Sequence, residues 1–503
     1  MSFRRQAILV FVSLGSLALA AATPAIAGNA HNLILFIPET LPHIGVDQTN
    51  APTLARLRHE GVSFVNSHSG FPKLTAADPF TVTSDLNAES LVAAATDRYA
   101  TAFINDTRAS GAEQPAGLQT LLNITLPQFK RSNRPFFLIY RLAEPESAPI
   151  AGNVVHPAYK PDPRAADSAL EAIEGTLKSL DLFDATNIIV AADHTLSRAL
   201  KVSNTSRART LLPRQDSLVD LFDSDNGNAL VDWNSGGHPK QGNAVISADY
   251  DPAKAWLTVE AHGAYDSIYL ADSLTKQERR STAKIILEAI LEQDYLGGVF
   301  VNAKRVGPLH GALSLSHVAA GVAAGERQPD IVVAFASVSD GCAQQLVCTS
   351  VIADTPLAEG EGVPNSFSRA GTWTFMAARG PDFRARSINT APASNADVAR
   401  TVAELLDLEM ERSGQPAGRV LSESLVGAAS RRVPLARKQI VSSAPSFEGL
   451  VTEAHLQSFG AAIYFDAAVP THQDRLADAD GPPAHWHWPK FKRFTISFSS
   501  GDE

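Results

Sequence analysis

The sequence has few cysteines, no basic excess and none of the short motifs that mark common nucleotide and serine-hydrolase sites. The only cysteines among its 503 residues are Cys342 and Cys348. A pair at this spacing without other cysteines makes a poor zinc site. No glycine-rich nucleotide loop and no G-x-S-x-G motif occurs. The net charge of −10 argues against nucleic-acid binding by charge. The apolar fraction of 45% is typical of a globular chain with a large core.

The first 27 residues have the pattern of a secretory signal peptide. Arg4 and Arg5 supply positive charge, residues 7–22 are apolar, and Ala25-Ile26-Ala27 offers a small-residue cleavage site. An uncleaved membrane anchor is the alternative, but the apolar segment is short for a membrane span and no second one follows. We therefore predict export to the periplasm or secretion, with no transmembrane span. Cleavage would remove two arginines and no acids, which changes the net charge from −10 to −12.

The two cysteines are predicted to form a disulfide in the exported protein. Cys342 and Cys348 lie six residues apart, and an oxidising compartment would allow them to close a small loop. On the chain-entropy model, such a loop adds about 2 kcal/mol to the free energy of unfolding. Titration of the unfolded, unreduced protein should therefore find no free thiols.

Apolar runs alternate with amphipathic segments along most of the chain. Buried strands are predicted at 32–39, 61–69, 134–142, 187–192, 331–337 and 372–380. Helices are predicted at 52–60, 165–180 and 275–293, and from a cap at Ser394 or Asn395 onwards. This alternation predicts an α/β fold, in which a mostly parallel central sheet has helices on both faces.

The pattern changes after the strand at 187–192. Gly- and Asn-rich loops followed by one long helix predict an inserted α+β subdomain at 195–302, within an α/β domain that spans 28–435. His238 and His262 lie in this insertion and are predicted to be surface residues. Residues 436–503 are predicted to form a peripheral C-terminal tail, in which "HWHWPKFKRF" is either disordered or packed over, with metal binding and docking on an anionic surface as the alternatives.

Polar side chains follow three of the predicted strands. Glu39 ends the first strand, Glu144 and Glu146 follow a middle strand, and Asp193-His194 follows another. Ligands in parallel sheets bind beyond the carboxyl ends of the strands, so this convergence predicts a site there. Glu144 and Glu146 would also allow a paired-carboxylate arrangement if they converge.

Several long segments resemble one family in the order in which they occur. They are "NLILFIPETL", "APTLARLRHEGVSFVNSHSGFPKLTAAD", "TNIIVAADH", "HPKQGN", "DGCAQQLVCTSVIADT", "GVPNSFSRAGTWTFMAARGPDF" and "SNADVARTVAELL". Together they resemble the alkaline phosphatase superfamily, and most closely its bacterial type I phosphodiesterase and nucleotide-pyrophosphatase-like, sulfatase-related branch. The resemblance extends from Asn32 to about Val426. It implies an alkaline-phosphatase-like fold and metal-dependent hydrolysis of phosphoric esters, of the phosphodiester or nucleotide type.

The resemblance implies two metal ions, usually zinc, which activate a Thr or Ser hydroxyl and stabilise the attacking and leaving oxygens. At the first metal site it places Glu39 where the family has Asp, Thr75 as the nucleophile, and the intact pair Asp193 and His194. Asp78 falls where the family often has an Asn that contacts substrate, and its charge would repel a phosphate. Thr75 and Asp78 would equally serve as helix caps if no metal is bound.

The second metal site is depleted in the same comparison. Glu146 stands where the family has Asp, and Ile150 and Pro364 stand where it has two histidines. Neither Ile150 nor Pro364 has a side chain that can bind a metal. We therefore expect at most one zinc or other divalent ion per chain, or none.

Two hypotheses remain open at this point. One is a weak or altered hydrolase with one metal at Glu39, Thr75, Asp193 and His194, acting on a small phosphorylated ligand. The other is a non-catalytic exported relative that binds a ligand or a partner in the same cleft. The loss of the second site and the charge of Asp78 both oppose efficient catalysis.

Overall fold

The structure is a computed structural model. It describes residues 31–69, 88–107, 114–143, 162–200, 229–230, 244–247, 255–291, 295–318, 328–337, 350–352, 362–364, 366–409, 418–427, 435–447 and 449–472.

The strands of the described residues are short to medium in length. In chain order they are β1 (Asn32–Pro38), β2 (Val62–Phe64), β3 (Ser67–His68), β4 (Ala100–Thr107), β5 (Phe136–Ala143), β6 (Thr186–Ala191), β7 (Leu196–Leu200), β8 (Ala229–Leu230), β9 (Ala244–Ser247), β10 (Ala255–Ala261), β11 (Tyr265–Leu270), β12 (Leu296–Val301), β13 (Leu313–Ser314), β14 (Ile331–Phe335), β15 (Ser350–Ile352), β16 (Gly362–Pro364), β17 (Met376–Arg379), β18 (Ser387–Asn389), β19 (Ala393–Ser394), β20 (Arg437–Ser442), β21 (Leu450–Phe459) and β22 (Ala462–His472).

The α-helices occur mainly between the strands. They are α1 (Pro52–Glu60), α2 (Ala88–Ala95), α3 (Ala116–Thr120), α4 (Leu126–Ser132), α5 (Arg164–Ser179), α6 (Lys276–Leu291), α7 (Arg369–Thr372) and α8 (Asn395–Leu405), and a π-helical turn (Leu121–Thr125) joins α3 to α4. Short 3-10 turns lie at Phe183–Ala185, Leu315–His317 and Ser422–Ser424. In the part of the chain that the structure describes, no helix is both long enough and apolar enough to cross a membrane.

The first sheet has seven strands in the order β18-β2-β17-β6-β1-β5-β4. Its neighbouring strands pair in parallel except at β17, which runs antiparallel to both β6 and β2. Every residue of the central strand β1 is buried, as its continuous apolar run predicts for a strand inside a parallel sheet. The prediction of a mixed α/β fold with a mostly parallel sheet is thus confirmed.

The two faces of β1 pack into separate apolar clusters, because successive side chains of a strand point to opposite sides. Ile34 and Phe36 belong to one cluster, and Leu33 and Leu35 belong to the other. The first cluster includes helix residues Leu54, Leu57, Leu170, Ile173 and Leu177. The second includes helix residues Leu91, Ala95, Val398, Ala399 and Val402.

The second sheet also has seven strands, in the order β13-β12-β14-β11-β10-β9-β8, and most of its pairings are antiparallel. Strand β14 lies inside it, between β12 and β11. The prediction that the run at 331–337 returns to the parallel sheet is therefore wrong. A short apolar run is compatible with either sheet, and the pairing of β14 with β11 and β12 assigns it to the second sheet. The second sheet thus extends beyond the predicted subdomain boundary at 302.

Strands β20, β21 and β22 form a three-stranded antiparallel sheet near the C-terminus. We call β21 and β22 the C-terminal hairpin. Its buried side chains pack in one cluster with residues of the second sheet and of the segment before α7, among them Tyr265, Phe300, Phe367, Ala454, Leu456 and Phe465. Strands β21 and β22 of the predicted peripheral tail are therefore packed into the core through the apolar residues of an inward face, whereas β20 is mostly exposed.

Candidate functional site

The parallel pairing of β1 and β6 continues beyond the ends of both strands. The amide of Asp193 donates to the Pro38 carbonyl at 3.1 Å, and the amide of His194 donates to the Glu39 carbonyl at 3.0 Å. An isolated bridge also joins Thr40 to His194 in parallel register. The structure thus brings Glu39 beside Asp193 and His194 at the carboxyl edge of the first sheet, which is where the sequence expects a site.

An arginine and an asparagine of the next two strands lie at the same edge. Arg141 of β5 is in register with Ile37 of β1 on one side and with Asn105 of β4 on the other. Its Nη2 lies 3.1 Å from Oε1 of Glu39, and its Nη1 donates to Oδ1 of Asn105 at 3.3 Å. The Arg141 side chain is only 9% exposed, whereas that of Glu39 is 24% exposed.

We call Glu39, Asn105, Arg141, Asp193 and His194 the edge cluster. They come from four adjacent strands, β4, β5, β1 and β6, or from the residues directly after them. Neither Arg141 nor Asn105 is predicted from the sequence, because Arg141 stands within an apolar strand and no strand is predicted where β4 carries Asn105. The signal that could have found Arg141 is a single charged residue inside the run "FFLIYRLA", since an unpaired charge is rarely buried.

Asp193 and His194, which we call the strand-end pair, are held in place by contacts to α8 and by the residue that follows them. Nδ1 of His194 lies 3.7 Å from Oδ2 of the buried Asp193, which is longer than a hydrogen bond. The side-chain amide of Asn395, the first residue of α8, donates to the carbonyls of Ala192 and Asp193 at 3.1 and 3.0 Å. Thr195, the residue directly after His194, donates its hydroxyl to two carbonyls of α7 at 3.0 and 2.8 Å. The backbone that presents Asp193 and His194 is therefore fixed from both sides.

Among the described residues, no group of three or more His, Cys, Asp and Glu side chains converges closely enough to hold a metal ion. The Glu39 carboxylate, which the resemblance assigns to the first metal, instead contacts the guanidinium of Arg141. The edge cluster therefore includes a positive charge directly beside the Glu39 carboxylate.

Several predicted site residues lie outside the described residues: Thr75, Asp78, Glu144, Glu146, Ile150, His238, Cys342 and Cys348. The signal peptide and the segment at 485–494 lie outside them as well. Pro364 is described, and it pairs with Leu196 in the small sheet formed by β15, β7 and β16. Its register partner thus follows His194 by two residues, which keeps Pro364 near the strand-end pair.

A second polar cluster joins β3 to the C-terminal hairpin, and we call it the hairpin cluster. It comprises His68, Arg369, Gln457 and Asp466. Nε2 of His68 lies 2.7 Å from Oδ1 of Asp466, and the Gln457 amide donates to both Asp466 oxygens at 2.9 and 3.1 Å. Nε of Arg369 lies 3.5 Å from the same carboxylate. No sequence motif singles out these residues.

Burial and charge shift the pKa values in the hairpin cluster. Desolvation of the buried His68 ring, followed by the charge of Arg369, lowers the pKa of His68. Desolvation by itself would raise the pKa of Asp466, but the hydrogen bond from His68 and the nearby charges lower it overall. The protein therefore favours a neutral His68 that donates to an ionised Asp466.

Two further histidines are stacked on aromatic rings. The His43 ring lies 4.6 Å from the Trp373 ring, and burial with the charges of Arg58 and Arg369 lowers the pKa of His43 to about 4. His262 stacks on Tyr265 at 4.7 Å, and burial lowers its pKa to about 4. His262, predicted as a surface residue, has a side chain that is 21% exposed, with its ring packed against this core tyrosine.

Comparison with protein-family models finds no match for this chain, and comparison with curated proteins finds no match either.

Proposed function

We propose that the chain is an exported, non-catalytic relative of the phosphoric-ester hydrolases of the alkaline phosphatase superfamily, and that it binds a ligand at the edge cluster. The ordered segments of the sequence support the relationship, as does the mostly parallel sheet with polar residues at its carboxyl edge. The proposal includes helices on both faces of that sheet. The two separate apolar clusters, each containing residues of different helices, support that arrangement.

The observation that carries this proposal is the ion pair between Glu39 and Arg141. In a metal-dependent hydrolase, Glu39 would have to give its carboxylate to the ion that activates Thr75. Here the carboxylate contacts a nearly buried guanidinium, and an arginine stays protonated in proteins. Catalysis by the resembled mechanism would therefore require this pair to break.

The charges of the edge cluster restrict the ligand. A small phosphorylated molecule would meet the positive Arg141 together with the negative Glu39 and Asp193. We therefore expect inorganic phosphate to bind weakly, and expect the rest of the ligand to supply most of the affinity.

The second candidate function is a one-metal hydrolase. It is favoured by the adjacency of Asp193 and His194, because carboxylate and imidazole groups are both zinc ligands, and by the partial exposure of His194 and Glu39. In this version one divalent ion would be held by Glu39, Asp193, His194 and Thr75, and the Thr75 hydroxyl would attack a phosphoric ester.

Turnover of a phosphodiester and a phosphomonoester distinguishes the two functions. The full-length exported protein would be incubated with p-nitrophenyl esters of both types, after treatment with a chelator or with added zinc. We expect no turnover above background in either condition. Zinc-dependent turnover that Thr75→Ala abolishes, while the exposed-site control Thr120→Ala retains it, would establish the one-metal hydrolase and overturn the non-catalytic proposal.

A further inference from the structure

We propose that β20 is a docking site for an extended, acidic segment of another protein, which would extend the C-terminal sheet by one strand. This surface involves none of the residues of the edge cluster. The inference therefore goes beyond the proposed function and does not depend on it.

The outer side of β20 carries unpaired backbone groups. Strand β20 lies at one edge of its sheet, with β21 as its neighbour. The amide of Ser443, directly after β20, donates to the Thr452 carbonyl at 2.9 Å, and residues that bond the neighbouring strand alternate in an antiparallel pair. The backbone groups of Lys438, Ile440 and Ser442 therefore point away from β21. Among the described residues, these outward groups have no hydrogen-bond partner.

The side chains of β20 leave this edge open. Val441 is half-buried, and the other residues of the strand are exposed. Ile440 is 59% exposed, and Leu435 and Phe447, which lie just before and after the strand, are almost fully exposed. An open strand edge with exposed apolar side chains is the arrangement through which a sheet binds an extended peptide.

The local charge indicates which kind of segment would bind. The chain has a net charge of −10, yet it has no acidic residue from position 424 to position 447. The basic residues in this range are Arg431, Arg432, Arg437 and Lys438. Opposite charges on paired strands are stabilising and like charges are destabilising. An acidic segment is therefore favoured, whereas pairing with β20 of a second copy would bring the basic residues of both copies close together.

Peptide binding to the full-length exported protein tests the proposal. The probe is a fluorescein-labelled peptide of alternating glutamate and valine, about as long as β20, and its binding is followed by fluorescence anisotropy. One control peptide has lysine in place of glutamate. The other is the acidic peptide with N-methylated backbone amides, which retains the charge but cannot donate to a strand edge. We expect the unmodified acidic peptide to bind on the order of 10-fold more tightly than either control.

Reversal of the charge on β20 should reverse the preference. In the variant Arg437→Glu/Lys438→Glu, the lysine peptide should bind more tightly than the acidic peptide, because the charged residues across the strand pair would again be opposite. The matched control is Lys130→Glu/Arg131→Glu, which reverses two adjacent exposed bases at the end of α4. It should retain the wild-type preference for the acidic peptide.

Proline at position 440 tests the contribution of the backbone. The N–H of Ile440 points away from β21, so Ile440→Pro removes an outward donor and retains the pairing of β20 with β21. We expect the acidic peptide to bind on the order of 10-fold more weakly to this variant. Circular dichroism checks that the variant folds. If it does not, the N-methylated peptide tests the same hydrogen bonds on the wild-type protein.

Three results would overturn the proposal. The first is no saturable binding of the acidic peptide to wild type. The second is equal binding of the N-methylated and unmodified acidic peptides, which would show charge attraction without strand pairing. The third is a wild-type dimer in analytical ultracentrifugation that Ile440→Pro converts to a monomer, because a second copy would then be the partner of β20. None of these results bears on ligand binding or turnover at the edge cluster.

Discussion

The edge cluster and the hairpin cluster are each organised around a carboxylate, Glu39 in the first and Asp466 in the second, but the protein buries these carboxylates and their partners to different degrees. In the edge cluster, the Glu39 carboxylate is 24% exposed at the end of a strand. In the hairpin cluster, the His68 ring is 1% exposed and its partner Asp466 is 14% exposed. Gln457 and Arg369 add further contacts to Asp466.

This difference indicates separate roles for the two clusters. Disrupting polar groups that are buried with several partners is strongly destabilising. The hairpin cluster is therefore expected to hold the C-terminal hairpin onto the rest of the fold. In the edge cluster, Glu39 and His194 are partly exposed at the carboxyl edge of the sheet, where ligands bind in such folds. Mutations in the hairpin cluster should therefore affect stability first, and mutations in the edge cluster should affect binding first.

The largest effect is expected when the C-terminal hairpin is removed together with β20. A chain ending at Pro434 should lose cooperative folding, because it would expose the cluster that includes Tyr265, Phe300 and Phe367 and so lose most of a typical stability of about 5–15 kcal/mol. Thermal unfolding followed by circular dichroism measures this. A chain ending at His472 is the matched control and should unfold cooperatively. A folded, monomeric protein ending at Pro434 would show that the hairpin is dispensable.

The next largest effect is expected at Asp466. Asp466→Ala leaves the buried His68 and Arg369 without their shared partner, and we expect the free energy of unfolding to fall by about 3 kcal/mol. Urea unfolding at neutral pH measures the change. Glu404→Ala, at an exposed position of α8, should change stability by less than about 0.5 kcal/mol. Equal effects of the two substitutions would contradict the anchoring role of the hairpin cluster.

Stability should also decrease between pH 7 and pH 5. The pKa values of His43 and His262 are lowered to about 4, so the unfolded chain binds protons in this range before the folded protein does. The stability contributed by neutral histidines is therefore present above about pH 6.5 and is lost as the pH falls towards 4. We expect a loss of about 1 kcal/mol per histidine between pH 7 and pH 5 after allowance for solvent screening.

The variant His43→Phe/His262→Phe tests the origin of this pH dependence. Phenylalanine retains the ring stacking on Trp373 and Tyr265 but cannot be protonated. The slope of unfolding free energy against pH should become shallower in the double variant. An unchanged slope would assign the pH dependence to other groups.

The smallest effect on stability is expected at the edge cluster. Glu39→Gln retains a hydrogen-bond acceptor for Arg141 but removes the charge, and we expect a loss of about 1 kcal/mol or less. The comparable substitution Asp466→Asn should be more destabilising, because Asp466 is less exposed and contacts His68, Gln457 and Arg369. A larger loss for Glu39→Gln than for Asp466→Asn would reverse the roles assigned to the two clusters.

The sequence predicts the first sheet well because its signals are local. The helix predicted at 52–60 is α1 with the same bounds, and it begins at a proline that suits a first turn. The strand predicted at 187–192 is β6, shifted by one residue. Ser394 is the N-cap of α8, with its amide hydrogen-bonded to the Asp397 carboxylate at 2.8 Å. In each case a short stretch contains both the periodicity and the cap or turn that ends it.

The features that the sequence analysis missed depend on distant partners. The apolar run of β14 is compatible with either sheet, and only its pairing with β11 and β12 assigns it to the second. Arg141 is inconspicuous until the register of β1 and β5 places it beside Glu39. Asp466 pairs with a histidine 398 positions earlier in the chain, so no local pattern contains both. The polar residues at the strand ends could be predicted from the sequence, whereas Arg141, the charged residue that contacts Glu39, could not.

The position of β17 in the first sheet has a consequence for the order of assembly during synthesis. Strand β2 ends at Phe64, yet its neighbours in the sheet, β17 and β18, begin only at Met376 and Ser387. At about 5–20 residues/s, a ribosome takes roughly 15–60 s to add the intervening 300 or so residues. Strands β1, β4, β5 and β6 can pair within this interval, while the outer edge of β6 waits for β17. The half-built sheet thus has an open, apolar edge that a chaperone would need to shield until the last quarter of the chain emerges.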